Sequence, residues 1–126
     1  MIKETITYVD FMGEERTEDC HFNLSQSEIS KKELLTPGGY SNMLQKIIDA
    51  KDVPSLSAVF IDFISDSYGQ LSEDGRRFIK SPVLTEEFMQ TAAYDQLFMK
   101  LLTDADYAVK FVNGIIPTVN KPTPAN

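Results

Sequence analysis

The chain is poor in the residues from which catalytic and metal sites are most often built. Among its 126 residues it has one cysteine, Cys20, one histidine, His21, and no tryptophan. A single cysteine excludes an internal disulfide and favours a reducing compartment. Cys20 and His21 are adjacent on a predicted strand, where neighbouring side chains point to opposite faces, so they cannot form a nucleophilic pair. Because zinc-ligand spacings and nucleotide-binding loops are also missing, we expect no enzyme activity, no metal and no cofactor.

Basic charge and long apolar runs are equally scarce. Twelve Lys and Arg residues stand against nineteen Asp and Glu residues, which gives a net charge of −7. A protein that grips nucleic-acid phosphates needs clustered Lys and Arg, so nucleic acid is not an expected partner. No apolar run approaches the roughly 20 residues of a membrane-spanning helix, and the N-terminus has no signal-peptide segment. We therefore expect no membrane association and a cytoplasmic location.

What the chain does have is enough apolar residues, 42%, to bury a core. The expected fold class is α+β, mostly α, with an N-terminal antiparallel β-hairpin followed by about five helices packed as a small bundle. Residues 1–117 are expected to form a single globular domain, with the hairpin in 1–24 and the helical part in 25–116. A flexible C-terminal tail is expected over 118–126, which contains two prolines and no apolar periodicity.

The element boundaries follow from periodicity, caps and turn residues. Two strands rich in Ile, Thr, Tyr and Val are predicted around the turn at Gly13, Ile2–Phe11 and Glu15–Leu24. The stretch 70–83 reads as a loop. Five helices are predicted from their caps and apolar spacing: from Asn23 or Ser25 to Leu35, from a Ser41 cap to Ala50, from Pro54 or Ser55 to Tyr68 with Gly69 closing it, Leu84–Leu102 with Thr85 as cap, and Ala105–Asn113 between Asp104 and Gly114.

The predicted helix Leu84–Leu102 is apolar on two sides. One row consists of Met89, Ala93, Leu97 and Leu101, with Tyr94 and Phe98 beside it. A second strip, on roughly the opposite side, consists of Phe88, Ala92, Met99 and Leu102. A surface helix needs only one apolar face, so this helix is either the buried centre of the domain or a core helix with a second face for a partner. The second strip is the candidate protein-interaction face, and ordinary core packing is the alternative.

Two groups of charged residues are candidate sites. Arg76, Arg77 and Lys80 form the one local basic cluster, which could either contact a partner or neutralise nearby acids and helix C-termini. Asp62 and Asp66 lie one helical turn apart and could hold a metal, but with no histidine or third acid nearby a solvated helix face is the preferred interpretation. Gly38 and Gly39 lack the surrounding pattern of a phosphate-binding loop and indicate a connection.

Three strings of the sequence resemble small proteins encoded among the tail-morphogenesis proteins of tailed phages and prophages. They are ITYVDFMGEERTEDCHFNL, SYGQLSEDGRRFIKS and EEFMQTAAYDQLFMKLLTDADYAVKFVNGIIP. The likeness spans about residues 1 to 117 and is to tail assembly chaperones. It rests on overall pattern, since none of the three strings is a catalytic or ligand-binding motif.

The resemblance implies a non-enzymatic protein that coats the tape-measure protein, helps to recruit tail-tube subunits and is absent from the finished virion. It also implies a location in the host bacterial cytoplasm and, in many cases, a longer form made by translational frameshifting. A homo-oligomer is expected from the hairpin itself, since a lone hairpin is marginally stable and must either pack on the helices or pair with another chain through its open edges. The alternatives are a structural tail or connector subunit retained in the virion, and an acidic phage-encoded inhibitor of a basic host protein.

Overall fold

The computed structural model describes residues 1–116, so the predicted flexible tail over 118–126 lies outside the described residues. This part of the chain forms four strands and six helices. Their order is β1 (Ile2–Val9), β2 (Glu15–Phe22), α1 (Gln26–Leu35), α2 (Tyr40–Ala50), α3 (Val53–Ser67), β3 (Tyr68–Leu71), β4 (Phe78–Ile79), α4 (Pro82–Met89), α5 (Ala92–Thr103) and α6 (Ala105–Ile115). The predicted α+β, mostly α class is confirmed.

The strands form one antiparallel sheet in the order β1-β2-β3-β4. β1 and β2 pair along their whole length, from Ile2 opposite Phe22 to Val9 opposite Glu15. β3 joins β2 through two pairs only, and β4 pairs with β3 through two more. The prediction of a loop over 70–83 was therefore wrong in part. A four-residue strand containing Gly69 and a two-residue partner are too short to show an alternating pattern.

The predicted single helix Leu84–Leu102 is two helices. α4 begins one turn before the predicted cap, because the Ser81 hydroxyl accepts a hydrogen bond from Leu84 N at 3.1 Å and Pro82 occupies the first turn. Thr91 then interrupts the helix with extended backbone, and its hydroxyl caps α5 at Tyr94 N, 3.2 Å away. The same hydroxyl donates to the Phe88 carbonyl at 2.7 Å. One threonine thus serves the end of one helix and the start of the next.

The structure confirms some of the other predicted helix ends and contradicts others. Ser25 and Glu28 form a reciprocal capping box on α1, and the Asp104 side chain caps α6 at Tyr107 N, 3.0 Å away. α2 begins at Tyr40 behind Gly39, so the predicted Ser41 cap was wrong. α6 also continues through Gly114, where a Cβ would lie 3.2 Å from the Ile2 Cδ1 atom. Glycine at 114 therefore lets α6 approach β1, and it does not end the helix.

The core lies between the inner face of the sheet and the helices, with Phe22 of β2 near its centre. The Phe22 ring is fully buried and meets Phe111 edge-on at 5.2 Å and Phe88 at 6.0 Å between centroids. Buried residues from β1, β2 and all six helices form one hydrophobic cluster. Gly69 is the tightest point, since a Cβ there would lie 2.5 Å from the Phe78 ring. The proposed domain boundaries remain a prediction.

Candidate protein-interaction surface

The structure divides the predicted second strip between the core and the surface. Phe88 lies on α4 and is 6% exposed, with its ring stacked on Tyr68 at 4.2 Å between centroids. Ala92 and Leu102 lie on α5, are partly buried and pack against the core. Met99, also on α5, is 49% exposed. The four residues therefore do not form one continuous apolar face, because the break at Thr91 separates Phe88 from the other three.

Leu102 lines an apolar hollow of about 250 Å³, which we call the α5 hollow. It lies where α2 ends, α3 begins, α5 ends and α6 begins. Its lining is Ile48, Lys51, Val53, Leu56, Phe60, Leu101, Leu102, Thr103, Ala105 and Ala108. Val53 is 56% exposed and forms part of the rim. Met99 lies three residues before Leu102, so it extends the apolar surface by one helical turn.

Two tight connections bring these helix ends together. Lys51 adopts the left-handed conformation, with φ of 55°, and ends α2 just before Pro54 in the first turn of α3. Asp104 is at once the last cap of α5 and the first cap of α6. The α6 residues facing the hollow are alanines, which leave space that larger side chains would fill. The lining is mainly apolar, and its polar side-chain groups are the Lys51 ammonium group and the Thr103 hydroxyl.

The predicted basic cluster is also divided. Lys80 Nζ contacts both carboxylate oxygens of Glu28 at 2.9 Å and is partly buried. Burial raises the pKa of Glu28, but the hydrogen bonds from Ser25 and Lys80 together outweigh it and hold this pKa below its ordinary value. Lys80 thus neutralises the α1 cap. Arg76 and Arg77 lie on the β3–β4 turn, where both side chains are exposed.

Two pairs of large apolar residues are more than 80% exposed in residues 1–116: Leu34 and Leu35 at the end of α1, and Phe11 and Met12 at the end of the β1–β2 hairpin, a feature that the sequence interpretation did not select. We call Asp10–Glu14 the hairpin tip; within it Phe11 is 83% and Met12 87% exposed. The Asp10 carboxylate orders the loop, since Oδ1 accepts from the backbone N atoms of Met12 and Glu14 at 2.9 Å each. The signal was present in the sequence, as two apolar residues between a turn aspartate and a turn glycine.

Arg16 completes this arrangement from β2. Its Nε donates to the second oxygen of Asp10 at 2.5 Å. The hydrogen bond from Arg16, followed by the one from the Glu14 backbone, lowers the pKa of Asp10. The carboxylate is therefore charged at neutral pH, and it holds the two apolar side chains on a fixed loop.

Within 1–116 no three His, Cys, Asp or Glu side chains are grouped as metal ligands would be. Asp66, which lies one helical turn from Asp62, forms an ion pair with Lys32, with Nζ and Oδ2 2.6 Å apart. None of the helices described here is both long enough and apolar enough to cross a bilayer.

Comparison with known proteins identifies the family of the chain. A family model of phage tail assembly chaperones matches residues 1–120. The chain belongs to this family. The family is non-enzymatic, which confirms the expectation that the protein is not an enzyme. Neither a curated protein nor a solved structure matches the chain.

Proposed function

We propose that this tail assembly chaperone binds a helical segment of the tape-measure protein in the host cytoplasm and assists assembly of the tail tube. The α5 hollow is the observation that supports this proposal. Helix-in-groove recognition uses apolar anchors spaced by three or four residues, each placed in an apolar recess. The α5 hollow, lined in part by Leu102, supplies one such recess on this chain, and Met99, one turn away, supplies an exposed apolar contact beside it.

The size and chemistry of the hollow fit a large apolar side chain. Its volume of about 250 Å³ exceeds the ~150 Å³ of a cavity that holds benzene. Methionine at position 99 is unbranched and polarisable, so it adapts to partner side chains of different shape. A chaperone that coats a long helical client needs this tolerance, because successive turns of the client present different residues.

We include homo-oligomerisation in the proposal, with the hairpin tip as the contact. Phe11 and Met12 are large, apolar and almost fully exposed on a loop that Asp10 holds in place. A preordered loop loses little conformational entropy when it binds, which favours association. An oligomer would also set several α5 hollows along one extended client.

The client-binding proposal is tested by co-expression with the tape-measure protein of the same phage. Wild-type chaperone should raise the soluble fraction of the tape-measure protein and co-purify with it. Val53→Asp should abolish both effects, since it places a charge at the rim of the hollow. The substitution should not unfold the chaperone, because an aspartate in the first turn of a helix is favoured by the helix dipole.

Val83→Asp is the matched control. Val83 is 64% exposed and also lies in a first helical turn, that of α4, but it does not line the hollow. This variant should behave as wild type. Equal loss in both variants, or no loss in Val53→Asp, would count against the hollow as the client site.

Mass spectrometry of purified virions should find no copies of the protein, whereas a fixed stoichiometry would identify a structural subunit.

A further inference from the structure

Strand β2 has a partner along its whole length on one side and only at one end on the other. β1 pairs with every residue of Glu15–Phe22. β3 pairs with His21 and Phe22 alone. On the β3 side the stretch Glu15–Cys20 therefore has no strand partner within residues 1–116.

The direction of the backbone groups on this stretch follows from two hydrogen bonds. Asn23 N donates to Ser67 O at 2.8 Å, across the β3 side of the chain. Gln96 Nε2 donates to Thr7 O at 2.8 Å, so the Thr7 carbonyl points away from β2. Thr17 lies opposite Thr7, and its backbone groups therefore point away from β1. Since these directions alternate along an antiparallel pair, the odd-numbered residues of β2 face the open edge.

Three residues, Glu15, Thr17 and Asp19, thus present backbone N–H and C=O groups along the open edge. No hydrogen bond from the part of the chain described here occupies that edge. Exposed edges of this kind are templates for pairing with another strand, and β-strand addition is a recurrent mode of peptide recognition.

A groove of about 430 Å³ runs beside this edge, between β2, β3 and the α4–α5 region. We call it the β2 groove. Its lining is Glu18, Asp19, Cys20, Tyr68, Gln70, Leu84, Glu87, Phe88 and Thr91. Three of these residues are carboxylates and none is a cation. In the described structure the one ion pair made by these three acids joins Asp19 to Lys3 across 4.0 Å.

We propose that the open edge of β2 binds an extended segment of a partner protein that carries Lys or Arg side chains, which adds to the sheet as a further strand. The backbone groups of Glu15, Thr17 and Asp19 would pair with the segment. Successive side chains of a strand point to opposite faces. The cationic side chains of the segment, on the groove face, would meet Glu18 and Glu87, and the alternate side chains would lie on the opposite face, beside Thr17 and Asp19.

Charge disfavours the obvious alternative, a second copy of the hairpin. Residues 1–23 carry six carboxylates against two cations, Lys3 and Arg16. Pairing two such hairpins edge to edge would set like charges opposite one another, which is destabilising. A basic segment has the complementary charge. This site is separate from the α5 hollow, and the inference does not depend on the identity of the helical client.

The test uses a fluorescein-labelled, blocked peptide of seven residues in which lysine and valine alternate, with binding measured by fluorescence anisotropy on the full chain. The decisive variant is Thr17→Pro, which removes one outward N–H and obstructs an incoming strand while breaking no β1–β2 backbone hydrogen bond. The hydrogen bond between the Thr7 and Thr17 hydroxyls is lost in this variant and equally in Thr7→Pro. We expect its affinity to fall by at least about tenfold.

Thr7→Pro is the control. Thr7 is the cross-strand partner of Thr17, so this substitution removes an outward N–H on the opposite edge of the hairpin. Its affinity should stay within about twofold of wild type, as expected for a surface change away from the site. Glu18→Gln combined with Glu87→Gln should weaken binding, and a peptide with glutamate in place of lysine should not bind.

Amide hydrogen exchange can be measured on the wild-type protein with and without the peptide, so this test does not require that a variant folds. Addition of the peptide should slow exchange at Thr17 and Asp19. Absence of slowing, or equal affinity of the two proline variants, would overturn the proposal. Self-association of the unliganded chain that Thr17→Pro abolishes would also overturn it, by making a second copy the occupant.

Discussion

Tyr68 and Phe88 stack face to face, with ring centroids 4.2 Å apart and ring planes 6° from parallel. Tyr68 begins β3 and Phe88 lies near the end of α4, so the contact joins the sheet to the helix that precedes α5. Phe22 meets both rings edge-on, at 5.7 Å from Tyr68 and 6.0 Å from Phe88. This aromatic cluster removes Phe88 from the surface that the sequence pattern assigned to it.

Substitution at Phe88 should therefore affect folding and substitution at Met99 should not. Phe88→Ala should lower the free energy of unfolding by about 3–5 kcal/mol, since it leaves a cavity in the aromatic cluster. Met99→Ala should change it by no more than about 0.5 kcal/mol, because the side chain is half exposed. Urea unfolding followed by circular dichroism measures both. Equal values for the two variants would contradict the assignment of Phe88 to the core.

The hairpin tip should control self-association. Phe11→Ser combined with Met12→Ser should weaken oligomer formation by at least about tenfold, since each buried apolar side chain contributes about 1.5–3 kcal/mol. Sedimentation velocity over a concentration series gives the comparison. The control is Leu34→Ser with Leu35→Ser, which removes an equally exposed apolar pair from the end of α1. If this control dissociates the oligomer and the tip variant does not, the contact lies at α1.

Alkaline pH should destabilise the protein through buried thiol and hydroxyl groups. Burial, followed by the charges of neighbouring acids, raises the pKa of Cys20 to about 11 and that of Tyr40 to about 12. Burial and then the hydrogen bond to Glu4 also raise the pKa of Tyr107. All three groups prefer to be neutral in the folded state.

The sign follows from linkage. A group whose pKa is raised by folding contributes its full stability below the pKa of the unfolded chain, and loses it as pH rises through the folded value. The free energy of unfolding should therefore fall above about pH 9, where an unfolded cysteine ionises first. Urea titrations at neutral and alkaline pH measure this. Cys20→Ala and Tyr40→Phe should each reduce the slope, and a stability that rises with pH in this range would refute the assignment.

The hairpin and most helices were predictable because their signals are local. Gly13 with its flanking strands, the capping box at Ser25 and the cap at Asp104 involve residues within a few positions of one another. The break at Thr91 was missed, although threonine is a good cap, because an apolar pattern that continues through a cap is indistinguishable from one long helix. The extra strands were missed because β3 and β4 share only two residue pairs.

The candidate binding site was also predictable only in part. Periodicity placed Met99 and Leu102 on one helix, but it does not reveal which of them another segment covers, and their role in binding stays a prediction. Leu102 borders a hollow made by four helix ends that lie far apart in the chain. The hairpin tip was overlooked because two apolar residues in a turn carry no periodic signal.

By itself the sequence determined the α+β class, the caps at Ser25 and Asp104, the lack of catalytic machinery and the likeness to tail assembly chaperones. Only the tertiary structure decided that Phe88 is core, that Met99 is surface, and that β2 keeps an acidic edge with no strand partner among residues 1–116. The reason is physical. A residue's own neighbours set its backbone conformation and its preference for burial, whereas its actual burial depends on distant segments such as Tyr68 that pack against it.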